Sequence, residues 1–231
     1  MLLNRKLYVA AVAALLLLPG RAVFAADDLK SVLHDLDVAA ANFHTTSAEF
    51  EFDSITTDPI PDKDVQKGTV YYERKGNDFK MGVHIREEND KPVPKVLVVS
   101  GGVFKLYEKL INQVTTSEKV KKYQSYLELG FGASGKELAD KWNIKYLGTE
   151  AIAGVKADKL ELVAKDPEVL RIFPKVTIWV DPARGVSLKQ LFNEGDGQYR
   201  VCTYHNIKVN RSLPGDAFTF KTDHQTVYVH H

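Results

Sequence analysis

Residues 79–86 read Phe-Lys-Met-Gly-Val-His-Ile-Arg, with an apolar side chain at every odd position and a polar residue or glycine at every even one. Successive side chains of an extended chain point to opposite faces, so this segment predicts a β-strand buried on one side and wet on the other. The same period of two governs residues 47–55, where Ala48, Phe50 and Phe52 alternate with Glu49, Glu51 and Asp53. Between these two lies GTVYYERKG, residues 68–76, an aromatic strand closed by Arg74 and Lys75. Residues 95–100 and 103–108 flank Gly101-Gly102, a two-residue hairpin signal. Further strands are expected over residues 111–116, 144–149, 156–163, 175–180, 186–193 and 198–209, joined by turn-forming residues such as Ala153-Gly154 and Gly195-Asp196-Gly197. The pattern describes about ten short antiparallel strands in one meandering sheet. A sheet that long curls, and its concave face needs a cover.

Helical segments supply candidate covers. Asp28 precedes Leu29, Val32, Leu33, Leu36, Ala40 and Phe43, spaced by threes and fours, which predicts an amphipathic helix capped by the aspartates at its start. Within residues 119–142, Ser134-Gly-Lys-Glu137 has capping-box spacing. Just upstream Tyr123, Tyr126, Leu127 and Phe131 fall near one helical side, and Gly130, Gly132 and Gly135 read as a hinge. Asp166-Pro167-Glu168 predicts an N-cap with proline in the first turn, and Pro174 stops that helix. Residues 56–66, with Pro59 and Pro61, read as a mobile loop. The fold class expected is therefore mainly β with α, a single curved antiparallel sheet forming a half-open β-barrel covered by a few helices. A sheet plugged rather than sealed by its helices leaves an apolar cavity, and such cavities are ligand sites. The candidate lining residues are Phe50, Phe52, Tyr72, Phe79, Met81 and Val99 in the first half of the chain. Phe104, Leu106, Ile178, Leu188 and Phe192 complete the set.

The N-terminus bears on compartment. Arg5 and Lys6 precede an apolar run over residues 7–18, broken by Pro19-Gly20, and Val23-Phe24-Ala25 offers a small-residue cleavage site. The run is too short to span a bilayer, so residues 1–25 are expected to be a secretory signal, cut after Ala25 with no cysteine following it to be lipidated. Residues 26–231 are then expected to form one domain. Without Arg5, Lys6 and Arg21, 28 basic residues face 30 acidic ones. That balance excludes a nucleic-acid footprint and a polybasic membrane signal. The lone Cys202 cannot form an intrachain disulfide and reads as a small strand residue. Seven histidines include no HExxH or comparable ligand spacing, and the terminal His230-His231 reads as an exposed tail. There is no GxSxG and no dinucleotide fingerprint; GFGASG, residues 130–135, follows no strand and precedes no lysine–threonine pair. No metal, cofactor or catalytic set is therefore expected, and the chain reads as a binding protein rather than an enzyme.

The order of these segments is familiar. A signal-like start, a helix ending in Phe43, then SAEFEF (47–52), GTVYYERKG (68–76), VLVVSGGVFKLY (96–107) and LPGDAFTF (213–220) resembles the periplasmic outer-membrane lipoprotein carrier family, LolA-like proteins and their lipoprotein-sorting relatives. The resemblance implies a half-open barrel with helices over its mouth and a periplasmic location. It implies lipid or lipoprotein acyl chains as cargo on the way to the outer membrane, with an inner-membrane exporter and an outer-membrane acceptor as partners. It also implies that Arg74 latches the lid by hydrogen-bonding helix backbone carbonyls, a task suited to a planar, permanently charged fork. Three departures bear on cargo and handover: Lys75 stands where the carrier has proline, Tyr107-Glu108-Lys109 replaces its Tyr-Asn-Pro turn, and Lys221-Thr222-Asp223 replaces its proline-rich exit. Residues 150–163 and Phe173-Pro174-Lys175 look more like the sorting relatives. Two alternatives share the scaffold: a lipid-sensing envelope regulator or adaptor with a protein partner, and a small enzyme with a polar cluster inside the cavity.

Overall fold

The computed structural model describes residues 21–76, 78–118 and 124–231. Helix α1 is Arg21–Ala41, and it leads into strands β1 (Thr45–Thr56), β2 (Asp62–Lys75), β3 (Asp78–Glu88), β4 (Lys91–Ser100), β5 (Val103–Glu108) and β6 (Gln113–Ser117). Helices α2 (Gln124–Leu127) and α3 (Gly135–Lys141) follow, then β7 (Trp142–Ile152), β8 (Val155–Ala164), α4 (Pro167–Ile172), β9 (Lys175–Asp181), β10 (Val186–Gly195), β11 (Gln198–Val209) and β12 (Val227–His230). The strands form one sheet in the order β12-β6-β5-β4-β3-β2-β1-β11-β10-β9-β8-β7. The sheet curves without closing, which is the expected half-open barrel.

Two antiparallel meanders, β2 to β6 and β7 to β11, meet on β1, which pairs with β2 on one edge and β11 on the other. The last strand departs from the antiparallel rule. β12 lies parallel to β6, with Val227 opposite Gln113 and His230 opposite Thr116, so the expected histidine tail is an edge strand. The loop expected over residues 56–66 is much shorter: β1 and β2 continue pairing out to Thr56 opposite Asp62, and a Lys63–Asp53 ion pair of 2.8 Å braces the arms. Charged residues there mark a wet extension of a long hairpin.

Helix α1 is already running at Arg21, the first described residue, so the aspartates expected to cap it lie inside its run. The alanine-rich stretch ahead of Asp28 is good helix-forming sequence. The proposed cleavage point after Ala25 falls within α1, and residues 1–20 of the expected signal lie outside the described residues. The two cap signals further along appear as read. Ser134 Oγ accepts from the Glu137 N–H at 3.1 Å while Glu137 Oε2 accepts from the Ser134 N–H at 2.9 Å, a complete capping box on α3. Asp166 Oδ1 accepts from the Glu168 N–H at 2.8 Å to start α4.

Burial falls into three clusters. Val32 and Leu36 of α1, Leu138 of α3 and Val169 of α4 pack with Leu160, Leu162, Val176 and Ile178 on the concave side of β8 and β9. Phe50, Val70, Tyr72, Phe79, Met81 and Val99 gather around Phe131 on the concave side of β1 to β4. A small third cluster holds Ala157, Trp179 and Leu188. Gly82, in the middle of β3, has a specific reason to be glycine: a Cβ there would collide with the carbonyl oxygen of Ala217. The LPGDAFTF segment thus straps across the strand at backbone distance, with Phe220 stacked on Tyr107 at 5.2 Å.

Candidate functional site

Beside the Phe131 cluster the concave face is hollow. A cavity of about 340 Å³ is walled by Phe50 and Phe52 of β1, Val70 and Tyr72 of β2, Met81, Val83 and Ile85 of β3, and Leu97 of β4. Phe192 of β10 and Cys202 and Tyr204 of β11 complete the wall, and Tyr126 and Leu127 of α2 lie over it as a lid. Tyr126 is held by stacking on Phe173 at 4.2 Å and by tilting against Phe192 at 5.0 Å. Alternating strands explain the apolar wall: on each strand the odd or even set faces inward together.

Of the eleven residues expected to line a cavity, Phe50, Phe52, Tyr72, Met81 and Phe192 meet at this one. Phe79 and Val99 lie buried in the packed cluster around Phe131, and Phe104 borders it. Leu106 sits opposite Leu97 on β5, one strand beyond the wall. Ile178 is sealed in the solid core beneath α1. Leu188 belongs with Trp179 in the third cluster, because a register shift between Ser187 and Lys189 turns its side chain away from the trough. Several wall residues were missing from the sequence expectation. Val83, Ile85 and Leu97 share the parity of Met81 and Val99 and were legible by the same rule. Cys202 and Tyr204 required knowing that β11 pairs with β1, which puts Cys202 opposite Phe52.

One end of the trough is stopped by the segment between α2 and α3. Phe131 is fully buried, stacked on Tyr72 at 4.1 Å and edge-on to Tyr204 at 4.8 Å. It bridges to Val186, while Ser187 N–H donates to Gly130 O at 2.6 Å and Gly132 N–H donates to Gly185 O at 3.1 Å. The glycine run expected to be a hinge is therefore a buried plug, bonded to the start of β10. Gly130 has φ of +76°, and a Cβ there would strike Ser187 Oγ, so glycine meets both demands. Two polar side chains near the plug are spent on each other and on its backbone: Gln190 Nε2 donates to Leu129 O at 2.6 Å and Tyr204 Oη donates to Gln190 Oε1 at 3.0 Å. Burial pushes the Tyr72 and Tyr204 phenols far above their usual range and the Cys202 thiol up to about 12, so these three wall groups are neutral.

Arg74 ends the inward-facing row of β2 at this plug. Its Nη2 meets Glu128 Oε2 at 2.9 Å and its Nη1 meets both oxygens of Glu137 at 3.1 and 3.2 Å. The partners are carboxylates of the lid segment, not the backbone carbonyls that the resemblance implied. Glu137 thus serves the α3 cap and Arg74 together. Burial alone would raise its carboxyl; the Ser134 N–H and the Arg74 charge outweigh that and hold it below the ordinary carboxylate range. Among the described residues no three His, Cys, Asp or Glu side chains converge as a metal site, and no helix is long and apolar enough to cross a membrane.

No family model matches the chain. An uncharacterized protein of Methanocaldococcus jannaschii is 31% identical over 134 residues, 58% of this chain and 36% of its own length, so the chain spans about a third of that curated relative. Among solved structures, an uncharacterized conserved protein from Thermus thermophilus superposes with a TM-score of 0.54 at 12% identity, over 88% of this chain and 99% of that one. MucB in the Pseudomonas aeruginosa MucA/MucB complex gives 0.50 at 13% identity, over 84% of this chain and 61% of that one. A LolA superfamily protein from Nitrosomonas europaea gives 0.41 at 17% identity, over 83% and 97%. At these identities the likeness is one of fold.

Proposed function

We propose that this chain is a periplasmic carrier that shields acyl chains of lipids or lipoproteins from water during transport toward the outer membrane. The observation that carries this reading is the apolar trough of about 340 Å³, within the roughly 300–1,000 Å³ of small-molecule sites, under a short helical lid tied down by Arg74. Each buried methylene is worth about 0.8 kcal/mol, so a chain of ten or so methylenes gains roughly 8 kcal/mol gross. Part of that must be offset by lid opening for cargo to leave. The compartment rests on the secretory signal expected over residues 1–25, and an exporter and an acceptor in the two membranes are the partners the reading requires. Native mass spectrometry of protein purified from its own envelope tests it. Lipid-free protein that also refuses fluorescent fatty acids would discard the carrier.

A second reading is favoured by the likeness to MucB, which has been solved in complex with MucA. On this reading the trough senses a lipid and the protein passes the signal to a bound partner. A stable stoichiometric protein recovered from membrane extracts supports the sensor; lipid passed between vesicles with no retained protein supports the carrier.

A further inference from the structure

The polar groups of the trough are distributed unequally. At the plugged end the polar groups that line the cavity, Gln190 and Tyr204, are paired with each other and with the Leu129 carbonyl, which leaves them no call on a guest. At the other end stand Gln66 of β2 and Arg200 of β11, both lining the cavity. Register fixes their place: Gln66 lies opposite Phe52 and Arg200 opposite Ser54, close to the hairpin ends of β1–β2 and β10–β11. Gln66 is eight residues along β2 from Arg74, about 26 Å at ~3.3 Å per residue. Arg200 meets Glu194 through Nε at 3.0 Å, and its side chain is 42% exposed. So open a pair holds little energy. Neither the Nη edge of Arg200 nor the Gln66 amide makes a hydrogen bond among the described residues, which leaves a fork and a donor amide facing the open end. A guanidinium fork matches the two oxygens of a carboxylate or phosphate.

Size restricts the guest. At about 30 Å³ per water-sized group, 340 Å³ accommodates about eleven methylene-sized units. That is one chain of medium length; two or three full-length chains do not fit beneath the lid as it stands.

Resting on the acyl-chain reading above, we infer that the closed trough takes a single-chain amphiphile of about ten to twelve carbons, its anionic head, a carboxylate or a phosphate, seated at Arg200 and Gln66 and its tail pointing at Phe131. The Cys202 thiol and the buried phenols stay protonated at neutral pH, and the carboxylate of Glu194, 16% exposed, engages Arg200 through Nε, so the head must share the guanidinium with it and take the Nη edge.

The test is a displacement titration on the full chain with alkyl carboxylates of eight to sixteen carbons. Dodecyl phosphate, dodecyl maltoside, dodecyltrimethylammonium and a diacyl phosphatidate complete the panel. Affinity is expected to rise about four-fold per methylene and level off near ten to twelve carbons. The carboxylate and phosphate should bind at least ten-fold tighter than the maltoside, with the ammonium weakest and the diacyl lipid poor. Either anion leading the other supports the assignment and identifies the source. Arg200→Gln, at a partly exposed site, should cost the anions about ten-fold and leave the maltoside unchanged, with Arg200→Lys restoring part of the loss. Equal binding of all heads, or an unaffected Arg200→Gln, overturns the head-group assignment while leaving the carrier reading intact. Affinity that climbs through sixteen carbons, or a diacyl lipid that matches dodecanoate, overturns the size limit. Binding of no chain at all overturns the carrier reading itself.

Discussion

Replacing Arg74 with leucine separates a latch from a surface ion pair. The Arg74 side chain is 15% exposed and faces Glu128, 8% exposed, and Glu137, 44% exposed. The Glu137 arm is wet enough that screening leaves it about 0–1 kcal/mol. The Glu128 arm is different, because both charges are largely buried, and removing one member of a buried pair costs up to about 3–5 kcal/mol. Arg74→Leu is therefore expected to destabilise by up to about 3–5 kcal/mol, nearly all of it through Glu128. Replacing both ends by apolar groups is close to neutral, so Arg74→Leu with Glu128→Leu should return to within about 1–2 kcal/mol of the native protein. The double variant should then be about 2–3 kcal/mol more stable than Arg74→Leu alone, whereas independent sites would add to within ~0.5 kcal/mol. Urea unfolding followed by Trp142 and Trp179 fluorescence measures it, a shifted midpoint at constant slope being the sign of a stability change alone. Run beside it, release of a bound fluorescent fatty acid should quicken in Arg74→Leu. Penalties that simply add would refute the pairing argument. Unchanged release with the full stability loss would make Arg74 structural and end its role as a latch.

Three other outcomes are expected. Gly130→Ala must hold φ of +76° and press on Ser187, for about 1–2 kcal/mol of backbone strain and ~1–3 of overpacking. At roughly 2–4 °C per kcal/mol its melting temperature should fall by about 4–20 °C. Gly101→Ala, at φ of +59° with nothing within 4 Å, should lose only the strain part, and equal losses would refute the packing argument. The Glu137 carboxyl is depressed in the folded state, so its contribution is present above the ordinary value of 4.5 and is lost as pH falls through the lower folded one. The melting temperature should therefore fall more steeply below about pH 4.5 in the native protein than in Glu137→Gln, and identical profiles would refute the assignment. The Cys202 thiol, raised from 9.0 to about 12, should react with a thiol reagent at pH 8 on the order of a thousand-fold slower than in urea, and slower still with an acyl ligand bound. Equal rates in buffer and urea would mean that the wall is open.

Much of the sheet was legible because burial on one face imposes a period of two, and β3, β1 and the β4–β5 hairpin carry it without interruption. Caps were legible because they are local: Ser134 with Glu137 and Asp166 with Pro167 need only their own few residues. What escaped was non-local or aperiodic. β12 has four residues, too few for a pattern, and its partner β6 lies over a hundred residues away. Counting twos points Leu188 inward, and a bulge beside it reverses the count. The glycines at 130 and 132 announce unusual backbone, which fits a hinge and a plug equally until Phe131 is seen between Tyr72 and Tyr204. Arg74 is legible only as a strand-end arginine; its carboxylate partners lie 54 and 63 residues on, beyond any local rule.

The central place of β1 has a consequence for biogenesis. Its edge toward β2 is matched by the very next strand, while its edge toward β11 waits for residues 198–209, well over a hundred positions further along. Contacts so distant in sequence form slowly. Until they form, twelve residues of unpaired backbone, from Thr45 to Thr56, lie open along a row bearing Phe50 and Phe52. Such an edge invites pairing with a neighbouring chain. A chain emerging from its N-terminal side exposes that row until β11 follows, and a partner that covers β1 in the interval would answer the exposure.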